Sequence, residues 1–295
     1  MPGRVDFGEP ATAGFWYRYE GEHLHSERSP FQQIDVYETA AFGRVLVLDG
    51  LLQTTERDEF CYHEMLVHVP LLSIDAPKRV LIIGGGDGGS LRHVLMHPTV
   101  ERAVMCEIDE RVVDACRRWL PSVSAGAFED PRAEVVFQDG VAFAASADES
   151  WDAVIVDSSD PVGPGLGLFR APFYRAVREH LAPGGVLAIQ ACSPFFQPRE
   201  LHEAYRNLRE AFPEVRLYLG AVPTYPGTLW AYALAGEHLH IDAEAARRRA
   251  AARNLRTRFW TPELHQAAFA LPGFVHDILE GRYPAFANGV NGSNS

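Results

Sequence analysis

The 295-residue chain is 47% hydrophobic, its four cysteines form no CxxC pair, and no apolar run approaches the roughly 20 residues of a membrane span. These features exclude a disulfide scaffold and a membrane-spanning protein, and they favour a globular protein of the reducing cytoplasm. The formal net charge of -12, from 27 basic and 39 acidic residues, repels nucleic-acid phosphates, so small cationic amines are better candidate partners.

Short β-branched and aromatic runs fill the front of the chain, residues 14–54. The runs FWYRYE, FQQIDVYET, GRVLVLDG and LLQTT are separated by Gly, Pro and Asp, which is typical of a small antiparallel sheet. Thr55 and Asp58 have capping-box spacing, and apolar residues recur at helical intervals over 56–69. We therefore predict a small β-domain with a linking helix over residues 1–70.

After a break at Asp75–Pro77, short apolar strands alternate with amphipathic helices. The strands are RVLIIG, AVMCEID, EVVFQD, WDAVIVD and VLAIQ, and helices begin at about Gly89, Glu110, Ala171 and Arg199. This alternation predicts an α/β fold with a Rossmann-like, doubly wound parallel sheet over residues 71–286. The adjacent late runs VRLYLGAV and TLWAYAL predict an antiparallel edge. We predict that the end of this domain is helical to about Leu279 and that residues 287–295 form a disordered tail.

The one basic run of the sequence, 247–258, follows acidic residues and is diluted by alanines. This pattern indicates a solvated helix face, with a nucleic-acid patch as the weaker alternative.

A glycine loop directly follows the strand RVLII. Gly84, Gly86 and Gly89 fit GxGxxG, and Glu107 ends the next strand, 18 positions beyond Gly89 (107 − 89). Strand, loop, helix and acid together predict a nucleoside-binding site, with a tight turn that holds no ligand as the alternative. A carboxylate such as Glu107 accepts two hydrogen bonds from a ribose diol.

Asp87 lies inside this loop, where a dinucleotide would set its pyrophosphate. A carboxylate would repel that group, so Asp87 favours a cofactor that carries an amine there, although it also suits a helix N-cap. Asp139 and Gly140 end the following strand, within reach of an adenine. For Asp139 alone a capping role is as good an interpretation.

An acidic loop follows the strand WDAVIVD, at the carboxyl end of the sheet where doubly wound folds bind ligands. Asp157 and Asp160, with Asp87 on a neighbouring strand end, would form a negative cluster that a diamine could neutralise. An ordinary Asp-Ser-Pro turn is the alternative. The glycine-flanked Pro164 favours a loop that closes over a site.

Long motifs in these regions resemble the polyamine aminopropyltransferases, spermidine synthase above all. They are VLIIGGGDGG, CEID, QDG, DSSDPVGP, LDGLLQTTERDEFCYHEM, VPTYPG and HQAAFALP, and they cover nearly the whole chain in order. The resemblance implies a small β-domain before a Rossmann-like domain. It also implies putrescine as acceptor and decarboxylated S-adenosylmethionine as the aminopropyl donor, a co-substrate, with no separate cofactor and no metal.

The resemblance also assigns roles by position. Asp157 matches the family's proton acceptor, with Asp160 and Asp87 as amine-binding carboxylates. The other amine-pocket positions are Tyr62, His63 and Tyr225. The nucleoside-binding positions are Gln32, Gly84, Gly86, Glu107, Asp139, Gly140 and Pro164. Two residues depart from the family pattern: Leu166, where the loop often carries an acid, and Thr228, where glycine or serine is usual.

Three other functions fit parts of the pattern. A diamine N-methyltransferase would bring the carboxylate of intact S-adenosylmethionine against Asp87, and a nicotinamide dehydrogenase would bring a pyrophosphate there. A non-catalytic polyamine sensor shares every binding residue. The exposed edge of a small sheet, finally, predicts a homodimer or homotetramer.

Overall fold

Two β-sheets and their helices form the computed structural model, which describes residues 4–12, 15–146, 149–161 and 163–284. The front sheet is antiparallel with its five strands in chain order: β1 (Arg4–Thr12), β2 (Phe15–Arg28), β3 (Gln33–Thr39), β4 (Gly43–Leu48) and β5 (Leu51–Thr55). The predicted small antiparallel sheet is confirmed, but it begins before Gly14. The strand β1 lacks a hydrophobic alternation of its own, and its pairing along the long β2 fixes it.

The second sheet has seven strands in the order β11-β12-β10-β9-β6-β7-β8. Their bounds are β6 (Arg79–Gly84), β7 (Arg102–Glu107), β8 (Ala133–Phe137), β9 (Trp151–Asp157), β10 (Leu181–Gln190), β11 (Glu214–Ala221) and β12 (Leu229–Gly236). The strands β6 to β10 are parallel, and β12 is antiparallel to both of its neighbours. The predicted doubly wound sheet with an antiparallel edge is confirmed.

Helices cover both faces of this sheet, which explains why its strands are apolar throughout. Their bounds are α1 (Glu59–Ser73), α2 (Gly89–Leu95), α3 (Glu110–Trp119), α4 (Pro121–Ser124), α5 (Gly140–Ser146), α6 (Ala171–Glu179), α7 (Pro198–Ala211), α8 (Ala243–Ala252), α9 (Pro262–Ala267) and α10 (Gly273–Leu279). None of the helices in the described ranges is both long and apolar enough to cross a bilayer.

The helix α1 begins later than its sequence pattern predicts. The Thr55 hydroxyl donates to Oδ1 of Asp58 (2.6 Å) and accepts from the Asp58 N–H (3.3 Å), so the predicted pair exists. It closes a turn, however, because Oδ2 of Asp58 accepts from the N–H and hydroxyl of Thr224 and ties this turn to the second sheet. The helix therefore starts at Glu59 instead of residue 56.

The helix α1 also continues to Ser73, through Pro70, and is buried along nearly its whole length. The predicted domain boundary at residue 70 thus falls inside α1, and the division into domains stays a prediction. The predicted tail, 287–295, lies outside the described residues.

Candidate active site

A cavity of about 140 Å³ lies where the carboxyl ends of β6, β7 and β9 meet the front sheet. Both sheets line it. The predicted site residues that line it are Gln32, Tyr62, His63, Gly84, Gly86, Asp87, Glu107, Asp139, Gly140, Asp157 and Tyr225. Residues that are distant in sequence therefore lie around one cavity, as expected for residues at the carboxyl ends of parallel strands.

The glycine turn after β6 brings the backbone of two strands together. Gly84 has a φ of +83°, and a methyl group added to it would lie 2.3 Å from the carbonyl oxygen of Asp157. The N–H of Gly85 donates to that same oxygen at 2.8 Å. Glycine is needed here for its positive φ and for this close approach, which fixes Asp157 beside the loop.

The nucleoside-binding candidates form one end of the cavity. Glu107 is buried, and its Oε1 accepts from the N–H of Asp109 at 3.0 Å. Burial raises the pKa of Glu107 to about 7. The Gln32 amide donates to Oδ2 of Asp109 at 2.9 Å, so the residue just before β3 is joined to the N-cap of α3, two residues beyond Glu107.

Asp139 and Gly140 lie at the start of α5 and line the same end of the cavity. The Oδ1 of Asp139 accepts from the N–H of Ala142 at 2.9 Å, so the capping interpretation is realised. A methyl group on Gly140 would lie 2.4 Å from the Ile83 side chain, so helix and strand pack too closely for a larger residue.

The amine-pocket candidates form the other end. The Tyr62 hydroxyl donates to Oδ1 of Asp157 at 2.8 Å. The Oδ2 of Asp157 is buried and has no hydrogen-bond partner in the described part of the chain. The ring of Tyr225 lies 5.7 Å from that of Tyr62, and its hydroxyl donates to the carbonyl of Gln53 at 2.6 Å. One carboxylate oxygen is thus held in place while the other is free to accept.

Asp87 lines the cavity and also binds the first turn of α2. Its Oδ1 accepts from the N–H of Gly89, where α2 begins, at 2.7 Å. The same oxygen lies 3.6 Å from Nε2 of His63, which in turn lies 3.9 Å from Oδ2 of Asp157. Burial and the charge of Asp157 raise the pKa of Asp87, while His63 opposes the increase.

Glu59, which the sequence analysis missed, supports His63 from behind. Its Oε2 lies 2.9 Å from Nδ1 of His63, and its Oε1 accepts from Arg92 at 2.7 Å. Burial opposes ionisation, but the hydrogen bonds of His63 and His93 and the charge of Arg92 hold the pKa of Glu59 well below its usual range. The signal was an acid four residues before a histidine on an otherwise apolar helix.

Three further histidines extend this network away from the cavity. Nδ1 of His93 lies 3.2 Å from Nε2 of His68, and Nδ1 of His68 lies 2.9 Å from Nε2 of His97. The guanidinium of Arg253 donates to Nδ1 of His97 at 2.9 Å, and that of Arg92 lies 2.8 Å from Nε2 of His93. Burial is the largest cause that lowers the pKa of all three imidazoles, and neighbouring positive charges lower it further.

The basic run 247–258 is mostly solvated as predicted, since Arg247, Arg248, Arg256 and Arg258 are exposed, but Arg253 departs from the prediction. Arg253 is buried, and its guanidinium donates to the carbonyl groups of Leu71, Ile74 and Asp75 at the end of α1. Carbonyls at a helix C-terminus attract a cation, and the sequence pattern of an exposed helix gives no sign of this contact.

Asp160 lies beside the cavity but is not among the described residues that line it. Its Oδ2 accepts from the Gln197 amide at 2.6 Å, and burial raises its pKa to about 6. Glu9 of β1 is buried, its pKa is raised to about 7 by burial, and the Asp160 charge adds to the increase. Gln197 and Glu9 were both missed, because each stands in an ordinary context far from the motifs.

The loop after Asp160 is described in part. The backbone of Pro164 belongs to a 3-10 helix, Gly163–Phe169, and its side chain lies outside the described residues, so its predicted role stays a prediction. Leu166 is 43% exposed. Thr228 has a φ of +63°, a backbone conformation that favours glycine. A threonine at this position, where the family usually has glycine or serine, therefore carries backbone strain.

Among the described residues, two groups of side chains have metal-ligand geometry, with ligand atoms within 4.8 Å of one another. In the group of Glu59, His63 and His93, the Arg92 guanidinium already occupies the carboxylate and the histidine nitrogen. A metal ion there would meet a fixed positive charge. The group of His63, Asp87 and Asp157 faces the cavity, and its two carboxylates are the place where a cation, such as an ammonium group, fits.

Comparison with known families identifies the family to which the chain belongs. A sequence profile described as the spermine/spermidine synthase domain matches residues 59–245, which is more than half of the chain. The chain belongs to this family. A second profile, described as the spermidine synthase tetramerisation domain, matches residues 21–56, which include β3 to β5 of the front sheet. The family resemblance read from the motifs is therefore confirmed.

Relatives of the spermine/spermidine synthase family match along nearly their whole length. The polyamine aminopropyltransferase of Desulforudis audaxviator is 45% identical over 272 residues, 92% of this chain and 98% of the relative. That of Moorella thermoacetica is 46% identical over 260 residues, 87% of this chain and 89% of the relative.

Solved structures of spermidine synthases are similar to this chain in fold and in sequence. A spermidine synthase in complex with the transition state analogue AdoDATO has a TM-score of 0.89 at 39% identity, covering 94% of this chain and 95% of its own. The spermidine synthase of Thermotoga maritima has a TM-score of 0.86 at 38% identity, covering 94% of each chain. The fold predicted from the sequence, a Rossmann-like sheet preceded by a small β-domain, is confirmed.

Proposed function

We propose that this aminopropyltransferase-family protein transfers the aminopropyl group of decarboxylated S-adenosylmethionine to putrescine, giving spermidine and methylthioadenosine. The observation that carries the proposal is the state of Asp157. Its Oδ1 is held by Tyr62, and its buried Oδ2 is without a partner in the described structure, beside Asp87. A buried, fixed carboxylate oxygen that is free to accept is what a general base requires.

In the proposed reaction Asp157 removes one proton from an ammonium end of putrescine. The freed nitrogen lone pair forms a bond to the carbon beside the sulfonium, and the carbon–sulfur bond breaks with its electron pair going to sulfur. The products are methylthioadenosine and a secondary ammonium. Because the sulfonium is already activated, orientation in the cavity supplies much of the rate, on the order of 7 to 11 kcal/mol in well-aligned reactions.

The two ends of the cavity support this assignment of the donor. Glu107, with Gln32 nearby, suits the ribose, and Asp139 and Gly140 suit the adenine. Asp87 suits the ammonium group of the decarboxylated donor. It disfavours intact S-adenosylmethionine, whose carboxylate it would repel at close range. The dehydrogenase alternative fails on the same charge argument, since a pyrophosphate would meet Asp87.

For the acceptor, we propose that Asp160 anchors the distal ammonium of putrescine, near Glu9 and Gln197. Two carboxyl groups whose pKa values burial raises are stabilised when a cation comes between them. The two solved relatives are spermidine synthases, which supports putrescine over a longer amine as the acceptor. The profile match over 21–56 supports a homo-oligomer, a tetramer by its description.

The test is to incubate the protein with putrescine and either decarboxylated or intact S-adenosylmethionine and to read the product by mass. An aminopropyl increment is expected. A methyl increment would support the methyltransferase, and binding without any product would support a sensor. Cadaverine, agmatine and spermidine as acceptors in the same assay test the choice of putrescine.

The role of Asp157 is tested by Asp157→Asn, which should lower turnover by about 10²- to 10⁴-fold while methylthioadenosine binding stays within about threefold. The matched control is Asp152→Asn on the same strand. Asp152 lies at the other end of β9, where it accepts from the N–H groups of Lys78 and Arg79. Near-normal turnover of Asp157→Asn would contradict the assignment. In the same assays Asp87→Ala should weaken donor binding.

A further inference from the structure

His63 is enclosed by carboxylates from three segments of the chain. Its Nδ1 lies 2.9 Å from Oε2 of Glu59, one turn earlier on α1. Its Nε2 lies 3.6 Å from Oδ1 of Asp87 and 3.9 Å from Oδ2 of Asp157. An imidazole can offer hydrogen to carboxylates on both sides only when both of its nitrogens are protonated.

The ring has no room to leave this position. The side chain is 1% exposed, and a methyl group added to Gly89 would lie 2.2 Å from its Cε1. The ring of Tyr62 contacts it edge-on at 5.2 Å between centroids, and that of His93 stacks on it at 5.9 Å. Gly89, the third glycine of the loop, therefore leaves space for the His63 ring and also begins α2.

The charges around His63 favour its protonated form. Arg92 keeps Glu59 ionised, and the pKa of His93 behind it is lowered to about 4, so that histidine adds no charge at neutral pH. Burial alone would lower the pKa of His63, but Asp87, Glu59 and Asp157 together raise it to about 9.

We propose that Glu59 is a positioning residue of the transfer reaction, which holds His63 as an imidazolium that orients the carboxylates of Asp87 and Asp157 and disfavours a proton on the attacking nitrogen. The proposal rests on the proposed function. Asp87 and Asp157 bring two negative charges to the reacting centre. The imidazolium and the ammonium group of the donor balance them, and the sulfonium of the donor adds one positive charge.

A second ammonium beside Asp157 would leave this centre with excess positive charge. The attacking nitrogen therefore gives its proton to Oδ2 of Asp157 more readily than it would without His63. The step moves one proton from nitrogen to a carboxylate oxygen. His63 keeps both of its own hydrogens throughout and acts by charge and hydrogen bonding.

The protonation state is tested by carbon-13 NMR of the ligand-free full chain with labelled histidine, from pH 6 to pH 10. One imidazole resonance should titrate near pH 9. It should be missing in His63→Gln and should move down by about one pH unit or more in Glu59→Gln. Glu64→Gln is the matched control, because Glu64 is buried on the same helix but accepts from the N–H groups of residues 258–260. It should leave the resonance in place.

The catalytic role is tested by a double-mutant cycle at pH 9, where a fall of one unit in the pKa of His63 lowers its protonated fraction from about one half to about one tenth. Glu59→Gln should therefore lower kcat about fivefold, with KM for both substrates within about threefold. In a His63→Gln background the same change should cost less than about twofold.

Three results would overturn the proposal: no histidine that titrates above pH 8, a His63 resonance that Glu59→Gln leaves in place, or an equal cost of Glu59→Gln in both backgrounds. If Glu59→Gln does not fold, the comparison of the native chain with His63→Gln still decides the protonation state. The titration uses no substrate, so its outcome is independent of whether spermidine is formed.

Discussion

The ionisation of Glu107 predicts a pH dependence for nucleoside binding. Its pKa of about 7 in the ligand-free protein means that the carboxylate is about 90% ionised at pH 8 and about 10% at pH 6. A ribose diol donates hydrogen bonds to the carboxylate form. The affinity for methylthioadenosine should therefore be fully present above pH 7 and should be lost as the pH falls through this value. The expected change between pH 8 and pH 6 is about tenfold in Kd, or ~1.4 kcal/mol.

Isothermal titration calorimetry with methylthioadenosine measures this change. The ligand lacks the amine of the donor, so its binding does not report on Asp87 or Asp160. Glu107→Gln should bind more weakly at pH 8 and about equally at both pH values. Glu9→Gln is the matched control, since the pKa of Glu9 is also raised to about 7 but its carboxylate accepts from Leu52 on the front sheet. It should keep the tenfold change.

Equal affinities of the unaltered protein at pH 6 and pH 8 would refute the assignment of Glu107 as the ribose ligand. So would a Glu107→Gln variant that retains the tenfold change, because another group would then control binding.

Two further predictions concern packing and stability. Gly89→Ala should push His63 out of position and lower turnover about a hundredfold, while methylthioadenosine still binds. The control is Gly273→Ala, which has open space around it and should be active. An active Gly89→Ala variant would contradict the packing argument. His265 accepts from the indole N–H of Trp260, and burial lowers its pKa to about 4, against about 6.5 when unfolded. Because only the unfolded chain takes up this proton between those values, the protein should lose about 2 kcal/mol through His265 from pH 7.5 to pH 5. In urea unfolding, the loss of unfolding free energy between pH 7.5 and pH 5 should be about 2 kcal/mol smaller for His265→Gln than for the unaltered protein. An equal loss in both proteins would contradict this role of His265.

The sequence predicted the parallel sheet and the residues at its carboxyl edge because both depend on local patterns. Apolar runs bounded by glycine and acid mark the ends of β6, β7 and β9, and parallel strands bring those ends together. Asp87, Glu107 and Asp157 were therefore placed without knowledge of any side-chain contact. The assignment of separate duties to them came from the family motifs and not from the pattern.

What the sequence did not predict depends on contacts between distant elements. The strand β1 forms because β2 is long enough to pair with it. The helix α1 starts at Glu59 because Thr224, 166 residues away, binds Asp58. Gln197, just before α7, binds Asp160, and Glu9 of β1 feels the charge of Asp160, but neither residue has a local pattern that marks it as functional.

The histidine cluster behind the site has a consequence for where the reaction's proton can go. Three neutral imidazoles offer three acceptor nitrogens, but the contacts from Arg92 through His93, His68 and His97 to Arg253 make four junctions, and both guanidiniums only donate. One junction is therefore already short of an acceptor.

A proton added to any of these rings would remove another acceptor and bring a third positive charge between two arginines. The cluster thus insulates the back of the cavity from proton flow. In the proposed reaction, a proton taken up at Asp157 would therefore leave through the mouth of the cavity, together with the product or after it.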